Sequence, residues 1–226
     1  MKLIIAVVVM AFISCTATRT GGLPAGYPAF FKEGHRGARG HLPENTIPSM
    51  KKAIDLGANV IEVDVYITRD GEVLIAHDSY VNVGISTLPD EKELNADIAK
   101  NYVWHQMNYA DIRKIDVGTR GNAAFPRQQK IPAYMPLLGE LIDSVEAYTA
   151  EAGRKRVIYN IEIKANPKFD GVYQPDPQTI VRRVMEVVQS KKLRNRFHLQ
   201  SFDTRQITGV KKSYPSVVTA YLVDAK

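Results

Sequence analysis

Apolar runs with the two-residue period of a β-strand alternate with apolar stripes of helical period along most of the chain. The strand pattern covers residues 29–34, 59–67, 72–76, 156–164, 196–201 and 217–223. The helical pattern covers residues 137–150, 176–191 and 204–213. Strands that alternate with helices of roughly 10–15 residues are typical of parallel βα units.

The first helix and the first hairpin have clear boundary signals. Thr46 is a suitable N-cap, Ile47, Met50 and Ile54 form the apolar stripe of the helix, and Gly57 ends it. Asp70-Gly71 is a strong turn signal between the strands 59–67 and 72–76. Residues 79–130 are irregular, with short helices predicted near 89–101 and 108–115. This region is therefore expected to be an insertion or a small subdomain.

The order of elements favours a TIM (β/α)8-type barrel over a doubly wound sheet. A doubly wound sheet normally has a glycine-rich phosphate loop after its first strand, but residues 35–40 contain no G-x-G-x-x-G motif. Residues of catalytic type follow several different strands, as in barrel enzymes. The pattern gives about six strands rather than eight. We therefore expect a C-terminally truncated barrel, or else an open sheet with exposed edges.

The N-terminus has the pattern of an export signal. Residues 1–14 contain a basic start and an apolar stretch that is too short to span a bilayer stably, and they are predicted to be a signal peptide. Cys15, the one cysteine of the chain, follows in a context that resembles a bacterial lipobox. Residues 15–28 are predicted to be a lipidated cysteine and a tether, and residues 29–226 the folded domain. The alternative is A-x-A-type cleavage beside an incidental cysteine.

These signals predict an exported bacterial protein, periplasmic or on the cell surface, that a lipid anchor holds to the membrane. The composition is 45% hydrophobic and 24% charged, which excludes disordered, collagen-like and disulfide-dense classes. The net charge of +6 falls to +5 without Lys2. This moderate surplus suits an anionic substrate or surface, and nucleic-acid binding is not expected.

Three carboxylates point to a divalent cation. Glu62 and Asp64 are two residues apart on a strand, so their side chains share a face, and Glu162 belongs to another strand. Such closely spaced carboxylates repel one another unless a cation compensates them. Ligands that are all oxygen favour Ca²⁺ or Mg²⁺ over Zn²⁺. The alternative is that each carboxylate is paired with an arginine or a lysine.

Two histidines are candidates for proton transfer. His35 and His77 each follow a predicted strand, and His77 precedes Asp78. Histidine titrates near neutrality, so one ring can accept a proton while the other donates one. The remaining histidines, His41, His105 and His198, are expected to have structural roles.

Two cations are candidates for phosphate binding. Arg36 follows the first strand, and Lys164 shares a strand face with Glu162. Arginine can bind two phosphate oxygens at once. Both cations are also able to neutralise the carboxylates, a role that is compatible with phosphate binding. Glu44 and Asn45 either help to orient His35 or only begin the first helix.

The motifs, taken in order, resemble those of the glycerophosphodiester phosphodiesterases. They are H-R-G at 35–37, P-E-N-T at 43–46, E-x-D at 62–64, D-G at 70–71, H-D at 77–78, E-x-K at 162–164 and Q-S-F at 200–202. The resemblance implies a phospholipase-C-like TIM barrel that holds a divalent cation on Glu62, Asp64 and Glu162. It further implies acid–base catalysis by His35 and His77, with Arg36 and Lys164 near the phosphate.

The implied substrate is a glycerophosphodiester such as glycerophosphocholine, which yields glycerol 3-phosphate and an alcohol. Two other functions are considered. The first is cleavage of an intact phospholipid, which would require apolar surface at the barrel mouth, and the sequence indicates no exposed aromatic cluster there. The second is a non-catalytic lipoprotein that binds phosphorylated ligands on a degenerate barrel. Family members usually continue for two more strands and carry a late aromatic residue at the mouth, for which no equivalent is found here.

Overall fold

The computed structural model describes residue 23 and residues 25–89 and 92–224. The predicted signal peptide and Cys15 lie outside these residues, as does most of the predicted tether. Within the described part of the chain, no helix is both long and apolar enough to cross a membrane.

Six strands and six α-helices form the fold in the described residues. The strands are β1 (Glu33–Gly34), β2 (Val60–Ile67), β3 (Val73–Ile75), β4 (Ile158–Ile163), β5 (Phe197–Ser201) and β6 (Thr219–Tyr221). The helices are α1 (Ile47–Asp55), α2 (Ala96–Ala99), α3 (Tyr109–Ile112), α4 (Leu138–Glu151), α5 (Pro177–Ser190) and α6 (Thr204–Ser213). Short 3₁₀ turns occur at Trp104–Gln106 and Pro167–Phe169.

The sheet is wound in one direction, as in a barrel. Its order is β1-β2-β4-β5-β6, and every pair along this path is parallel. Helices α1, α4, α5 and α6 pack against one another in succession. The strand order never reverses, so the sheet has no switch point of the doubly wound kind. In the described residues β1 and β6 do not pair, so the sheet is open.

The predicted Asp70-Gly71 hairpin is present. Strand β3 returns antiparallel to the end of β2, with Val65 opposite Ile75, and Gly71 has a φ of +79° in the turn. Strand β3 therefore lies off the parallel path, and five of the six strands belong to the barrel-like series.

The first strand is much shorter than the pattern over 29–34 predicts. Residues before Glu33 instead cross the amino ends of the parallel strands. The Tyr27 hydroxyl donates to the carbonyl of Phe197, the first residue of β5, at 2.6 Å. The ring of Phe31 stacks on that of His198, with centroids 5.9 Å apart. Aromatic packing at this end, rather than sheet pairing, thus fixes the chain that leads into β1.

The described residues of the segment 79–130 pack around a second, smaller apolar cluster. Trp104, Ile112 and Ile115 are buried in an apolar cluster that also includes Leu74 of β3 and Tyr66 of β2. The two helices predicted here are present but shorter than expected, one turn each. The main core lies elsewhere, between the sheet and the helices α1, α4 and α5.

Candidate active site

Three carboxylates converge at the centre of the sheet. Parallel register places Asp64 of β2 directly beside Glu162 of β4, and Glu62 shares the face of Asp64. One oxygen atom from each of the three residues lies within 4.8 Å of the other two. All three side chains are buried. These are the three carboxylates that the sequence predicts as ligands of a cation.

The loop between β1 and α1 holds two of these carboxylates in place. The backbone N–H of Arg36 donates to Glu62 Oε2 at 2.7 Å. Asn45 Nδ2 donates to Asp64 Oδ2 at 2.8 Å, and the backbone N–H of Asp64 donates back to Asn45 Oδ1 at 3.4 Å. Asn45 thus orients Asp64, whereas the sequence offered it as a residue that orients His35.

The loop adopts a strained backbone to make these contacts. Arg36 and Asn45 both have a φ of 55°, in the left-handed region that non-glycine residues rarely occupy. Gly37 has a φ of +78°, and a Cβ there would lie 2.8 Å from the backbone of Ser49. A side chain at position 37 would therefore force the loop away from α1.

Two cations contact the carboxylates. Lys164 Nζ lies 2.8 Å from Glu162 Oε1 and 3.7 Å from Asp64 Oδ1. Arg36 Nη1 donates to Glu44 Oε1 at 2.8 Å, and Arg36 Nε lies 3.4 Å from Asp64 Oδ2. Glu44 therefore fixes the guanidinium of Arg36.

The charges in this cluster do not balance. Four carboxylates, Glu44, Glu62, Asp64 and Glu162, face two cations, Arg36 and Lys164. The difference, −4 + 2, is −2 when all four carboxylates are ionised and the histidines are neutral. Burial, followed by repulsion from Asp64, raises the pKa of Glu62 to about 9. Burial also raises the pKa of Glu162, although Lys164 opposes the rise.

The residues fit a divalent cation. Glu62 Oε1 and Asp64 Oδ1 are buried, and no described residue donates a hydrogen bond to either atom. Unpartnered buried oxygens are costly, and a cation of charge +2 would both ligate them and neutralise the excess charge. The alternative is that each carboxylate is paired with an arginine or a lysine. Glu62 does not fit it, because its hydrogen-bond donor among the described residues is the backbone N–H of Arg36. Carboxylate ligands suit Ca²⁺ or Mg²⁺.

Of the two candidate histidines, His35 borders this cluster and His77 lines one cavity together with Lys164. His35 Nε2 is 3.9 Å from Glu62 Oε2, and its side chain is half-exposed. Burial, and then the charges of Arg39 and Arg36, lower the pKa of His35. The ring is therefore neutral at neutral pH in the absence of a bound anion, which is the form that accepts a proton.

The second histidine is oriented by its neighbour. His77 Nδ1 lies 2.9 Å from Asp78 Oδ1, and Asn82 Nδ2 donates to Asp78 Oδ2 at 2.6 Å. Burial alone raises the pKa of Asp78, but the hydrogen bonds from His77 and Asn82 lower it on balance. An ionised Asp78 favours the tautomer of His77 with the proton on Nδ1, which leaves Nε2 to face the site.

The sequence did not identify several residues that shape the site. Trp104 Nε1 donates to the backbone carbonyl of Asp78 at 2.7 Å and so fixes the His77-Asp78 segment. Asn82 contributes the second hydrogen bond to Asp78. The signal available in the sequence was weak, because both residues lie in the irregular segment 79–130, where no periodicity relates them to the H-D motif.

An aromatic wall, formed by Tyr80, Phe169 and Tyr173, lies beside the catalytic-type residues. Ring centroids are 5.0 Å apart for Phe169 and Tyr173 and 6.3 Å apart for Tyr80 and Tyr173. Tyr80 and Phe169 line a cavity of about 540 Å³ together with His77 and Lys164. The sequence predicts no exposed aromatic cluster near the mouth, and these three aromatic side chains are only partly exposed. These aromatic residues come from segments far apart in sequence, which pattern reasoning does not connect.

The remaining histidines do not join the site. His41 is exposed in the loop between β1 and α1. His105 Nδ1 lies 3.2 Å from the carbonyl of Ile67, and His198 is buried at the opposite end of the sheet beside Tyr27 and Phe31.

Residues 35–226 match the family model of the glycerophosphoryl diester phosphodiesterase family. The chain is similar to a glycerophosphodiester phosphodiesterase of Bacillus subtilis, with 28% identity over 85% of the chain and 59% of the relative. It is also similar to one of Caldanaerobacter subterraneus, with 28% identity over 80% of the chain and 61% of the relative. The chain thus spans about 60% of the length of these relatives.

Two solved structures resemble the fold. A protein of this family from Silicibacter pomeroyi superposes with a TM-score of 0.73 and 28% identity, covering 88% of the chain and 66% of that protein. A phosphodiesterase of Oleispira antarctica, solved with the product sn-glycerol-3-phosphate, superposes with a TM-score of 0.63 and 21% identity over 85% of the chain and 66% of its own.

These likenesses confirm the α/β barrel-type fold, which the open sheet here forms in part. Because the family model covers most of the sequence, the chain belongs to the glycerophosphoryl diester phosphodiesterase family.

Proposed function

We propose that this protein hydrolyses glycerophosphodiesters to sn-glycerol 3-phosphate and an alcohol, with a bound divalent cation, Ca²⁺ or Mg²⁺. The observation that carries the proposal is the buried cluster of Glu62, Asp64 and Glu162 with its uncompensated charge, flanked by His35 and His77. Family membership supports the same chemistry. The phosphodiesterase of Oleispira antarctica has been solved with sn-glycerol-3-phosphate, the product that we propose.

Each residue has a role in this proposal. One histidine removes the proton from the 2-hydroxyl of the glycerol unit, whose oxygen attacks phosphorus. The other histidine gives a proton to the oxygen of the departing alcohol, and a cyclic phosphate results. Water then opens the ring as the two histidines exchange roles. Arg36 and Lys164 bind the non-bridging oxygens, and Asp78 keeps Nδ1 of His77 protonated.

The residues Glu62, Asp64 and Glu162 would hold the cation. When bound, it supplies positive charge at the phosphate oxygens, which stabilises the developing negative charge of the transition state. Asn45 and the backbone N–H of Arg36 hold one oxygen of each of two of these residues, Asp64 Oδ2 and Glu62 Oε2. The two histidines are assigned as a pair, since the geometry does not distinguish the base from the acid in the first step.

The direct test is an assay of glycerol 3-phosphate release from a panel of glycerophosphodiesters, with the full chain as enzyme. We expect turnover that EDTA abolishes and that added Ca²⁺ or Mg²⁺ restores. His35→Ala and His77→Ala are each expected to lower kcat by about 10²–10⁴-fold. His41→Ala is the matched control, because His41 is an exposed histidine of the same loop and is expected to retain full activity.

Turnover that is insensitive to EDTA would contradict the metal assignment, and full activity of His35→Ala would contradict the acid–base assignment. Binding of glycerol phosphate by the folded protein without any turnover would instead identify the non-catalytic lipoprotein that the sequence leaves open.

The aromatic wall supports a second candidate substrate, a phospholipid or lysophospholipid. Phe202 is 43% exposed and lies next to Lys164, whose Nζ is 6.0 Å from the ring centroid. Together with Tyr80 and Phe169, it provides apolar surface that a substrate with an acyl chain could contact. Faster turnover of lysophosphatidylcholine than of glycerophosphocholine would support this candidate, and the reverse order would contradict it.

We also propose that the protein is exported, cleaved before Cys15 and held at the membrane by a lipid on that cysteine. The support comes from the sequence alone, through the apolar stretch in residues 1–14 and the lipobox-like context of Cys15. The measurement is partition of the cell-expressed protein into a detergent phase, which Cys15→Ala is expected to abolish. Unchanged partition of that variant would contradict lipidation.

A further inference from the structure

The two ends of the parallel strands differ sharply in charge. The amino-end surface, as defined here, consists of the loops and helix ends at 25–32, 56–59, 152–157, 191–196 and 211–218. These five segments contain ten lysines and arginines and no aspartate or glutamate. The cations are Lys32, Arg154, Lys155, Arg156, Lys191, Lys192, Arg194, Arg196, Lys211 and Lys212. The catalytic-type residues lie at the other end, where carboxylates are frequent.

Only some of these cations have a structural partner. Carboxylates on the neighbouring helices contact Arg154, Arg156, Lys191 and Arg196. The partners are Asp55, Asp143 and Glu146, and two further carboxylates, Glu33 and Glu151, border the surface. Ten cations against five carboxylates leave a surplus of 10 − 5 = +5. Salt bridges within the fold therefore account for less than half of the basic side chains.

Three of the remaining cations are free to contact a partner. Lys155, Lys192 and Arg194 are exposed and form no ion pair with any described residue. Lys192, Arg194 and Arg156 line one hollow of about 660 Å³, which Ala25 also borders. Arg156 contacts Glu146, but ion pairs with described residues do not account for Lys192 and Arg194 at this hollow.

Backbone conformation gives an independent argument. Lys192 has a φ of 54° and Arg194 a φ of 56°, in the left-handed region that glycine and asparagine adopt more readily. The fold alone would therefore favour other residues at both positions. Long cationic side chains at two strained positions indicate a role for the charges outside the fold.

Apolar exposure and the course of the chain indicate what the partner is. Phe30 is 72% exposed and Leu56 is 57% exposed, and both belong to the amino-end surface. Cations combined with exposed apolar side chains are typical of surfaces that contact lipid headgroups. The chain also reaches this surface from its N-terminus, since Ala25 borders the hollow and Cys15, the proposed position of the lipid, precedes it by 10 residues.

We propose that the amino-end surface binds the headgroups of an anionic phospholipid membrane and directs the opposite end, with His35 and His77, away from the bilayer. This orientation rests on the proposed membrane localisation. A site that faces away from the bilayer receives substrates from solution. Water-soluble glycerophosphodiesters therefore fit the orientation better than lipids of the same membrane.

The test is binding of the full chain to vesicles of phosphatidylcholine with and without phosphatidylglycerol. The N-terminal apolar sequence of the full chain promotes binding to vesicles of either composition. The readout is therefore the ratio of partition onto the anionic vesicles to partition onto the phosphatidylcholine vesicles, here called the excess. We expect this excess to fall steeply as salt rises. Each membrane-bound cation strengthens partition roughly fivefold. Lys192→Asn together with Arg194→Asn should therefore reduce the excess about 30-fold.

The matched control is Arg127→Asn with Lys130→Asn, which removes the same charge from exposed positions in the segment 79–130. This double variant is expected to keep the excess partition within about twofold of that of the unaltered chain. Equal losses in both double variants would show that net charge, not this surface, controls binding, and would overturn the proposal. Asparagine suits a left-handed backbone, so Lys192→Asn and Arg194→Asn are expected to retain the melting temperature and the rate of phosphodiester hydrolysis.

A second measurement reports the orientation. Trp104, the one tryptophan of the chain, lies beside Asp78 at the end that bears the histidines, so energy transfer to a dansyl-labelled lipid is expected to be weak. Phe30→Trp adds a donor on the amino-end surface and should increase the transfer strongly. Equally efficient transfer from Trp104 alone would overturn the orientation. Tighter binding to duplex DNA than to anionic vesicles would identify a nucleic-acid surface and overturn the proposal as well.

Discussion

At the residue scale, the candidate site depends on side chains that hold other side chains in place. Asn45 is the clearest case, because its amide contacts Asp64 through both the carboxylate and the backbone N–H. It does so from a left-handed backbone and while fully buried in the loop. Its function in the proposal is to position a cation ligand rather than to touch the substrate.

Asn45→Gly tests this role. Glycine accepts the left-handed backbone, so the substitution removes the amide without forcing the loop to change. We expect the cation concentration for half-maximal activity to rise about 10–100-fold, as is usual when a partner of a metal ligand is lost. Activity titrations and calorimetric cation binding should agree. A loss of melting temperature without any change in cation binding would show that Asn45 is only a structural residue.

At the element scale, the turn between β1 and α1 carries much of the site. It supplies His35, Arg36 and Asn45, and it can approach α1 closely because residue 37 has no side chain. A Cβ at Gly37 would lie 2.6 Å from Ser49 Oγ and 2.8 Å from the Ser49 backbone. Gly40, three residues later in the same turn, has open space around it.

Gly37→Ala and Gly40→Ala therefore form a matched pair. Gly37→Ala is expected to lower the free energy of unfolding by about 2 kcal/mol or more, from backbone strain and the clash with α1. It should also lower kcat by about a hundredfold, because His35 and Arg36 move with the turn. Gly40→Ala is expected to change neither quantity measurably. Denaturant unfolding measures the free energy of unfolding, and the phosphodiesterase assay measures kcat. Equal losses in Gly37→Ala and Gly40→Ala would contradict this account of the turn.

At the scale of the whole molecule, the chain before β1 closes the amino end of the sheet over a buried histidine. Tyr27 and Phe31 pack on His198 of β5, although the sequence separates them by more than 160 residues. Burial lowers the pKa of His198 to about 4, since no described residue offers its Nδ1 a hydrogen bond. The ring is therefore neutral in the folded protein over most of the acidic range.

This buried histidine predicts an acid-dependent loss of stability. The unfolded chain binds the proton near pH 6.5 and the folded protein only near pH 4, so the unfolded state gains protons first. Stability should fall as the pH drops from 6.5 to 4 and then level off, by roughly 3 kcal/mol in total for this group. His198→Leu should flatten the pH dependence of unfolding in this window. His41→Leu, at an exposed position, should leave it unchanged, and equal slopes for both variants would contradict the assignment.

Much of the fold could be predicted from the sequence, because periodicity and capping residues within a segment define most of its helices and strands. The helices α4, α5 and α6 and the strands β2, β4 and β5 lie within a few residues of their predicted bounds, since strong amphipathic periods and caps such as Asp176 define them. The predicted first strand was wrong because aromatic contacts with β5, distant in sequence, take the place of sheet pairing for residues 29–32. The short helices in 79–130 depend on a small apolar core that has no sequence period.

The sequence by itself determined which residues are candidates for the site and in what order they occur, since motif spacing and strand alternation place Glu62 and Asp64 on one strand face and Glu162 on another strand. Only the tertiary structure decided how they act together. Parallel register sets Asp64 beside Glu162, the strained loop brings Asn45 to Asp64, and the fold separates a basic amino-end surface from the end that bears this carboxylate cluster. Distances, burial and net charge arise only when distant segments meet, and no local pattern contains them.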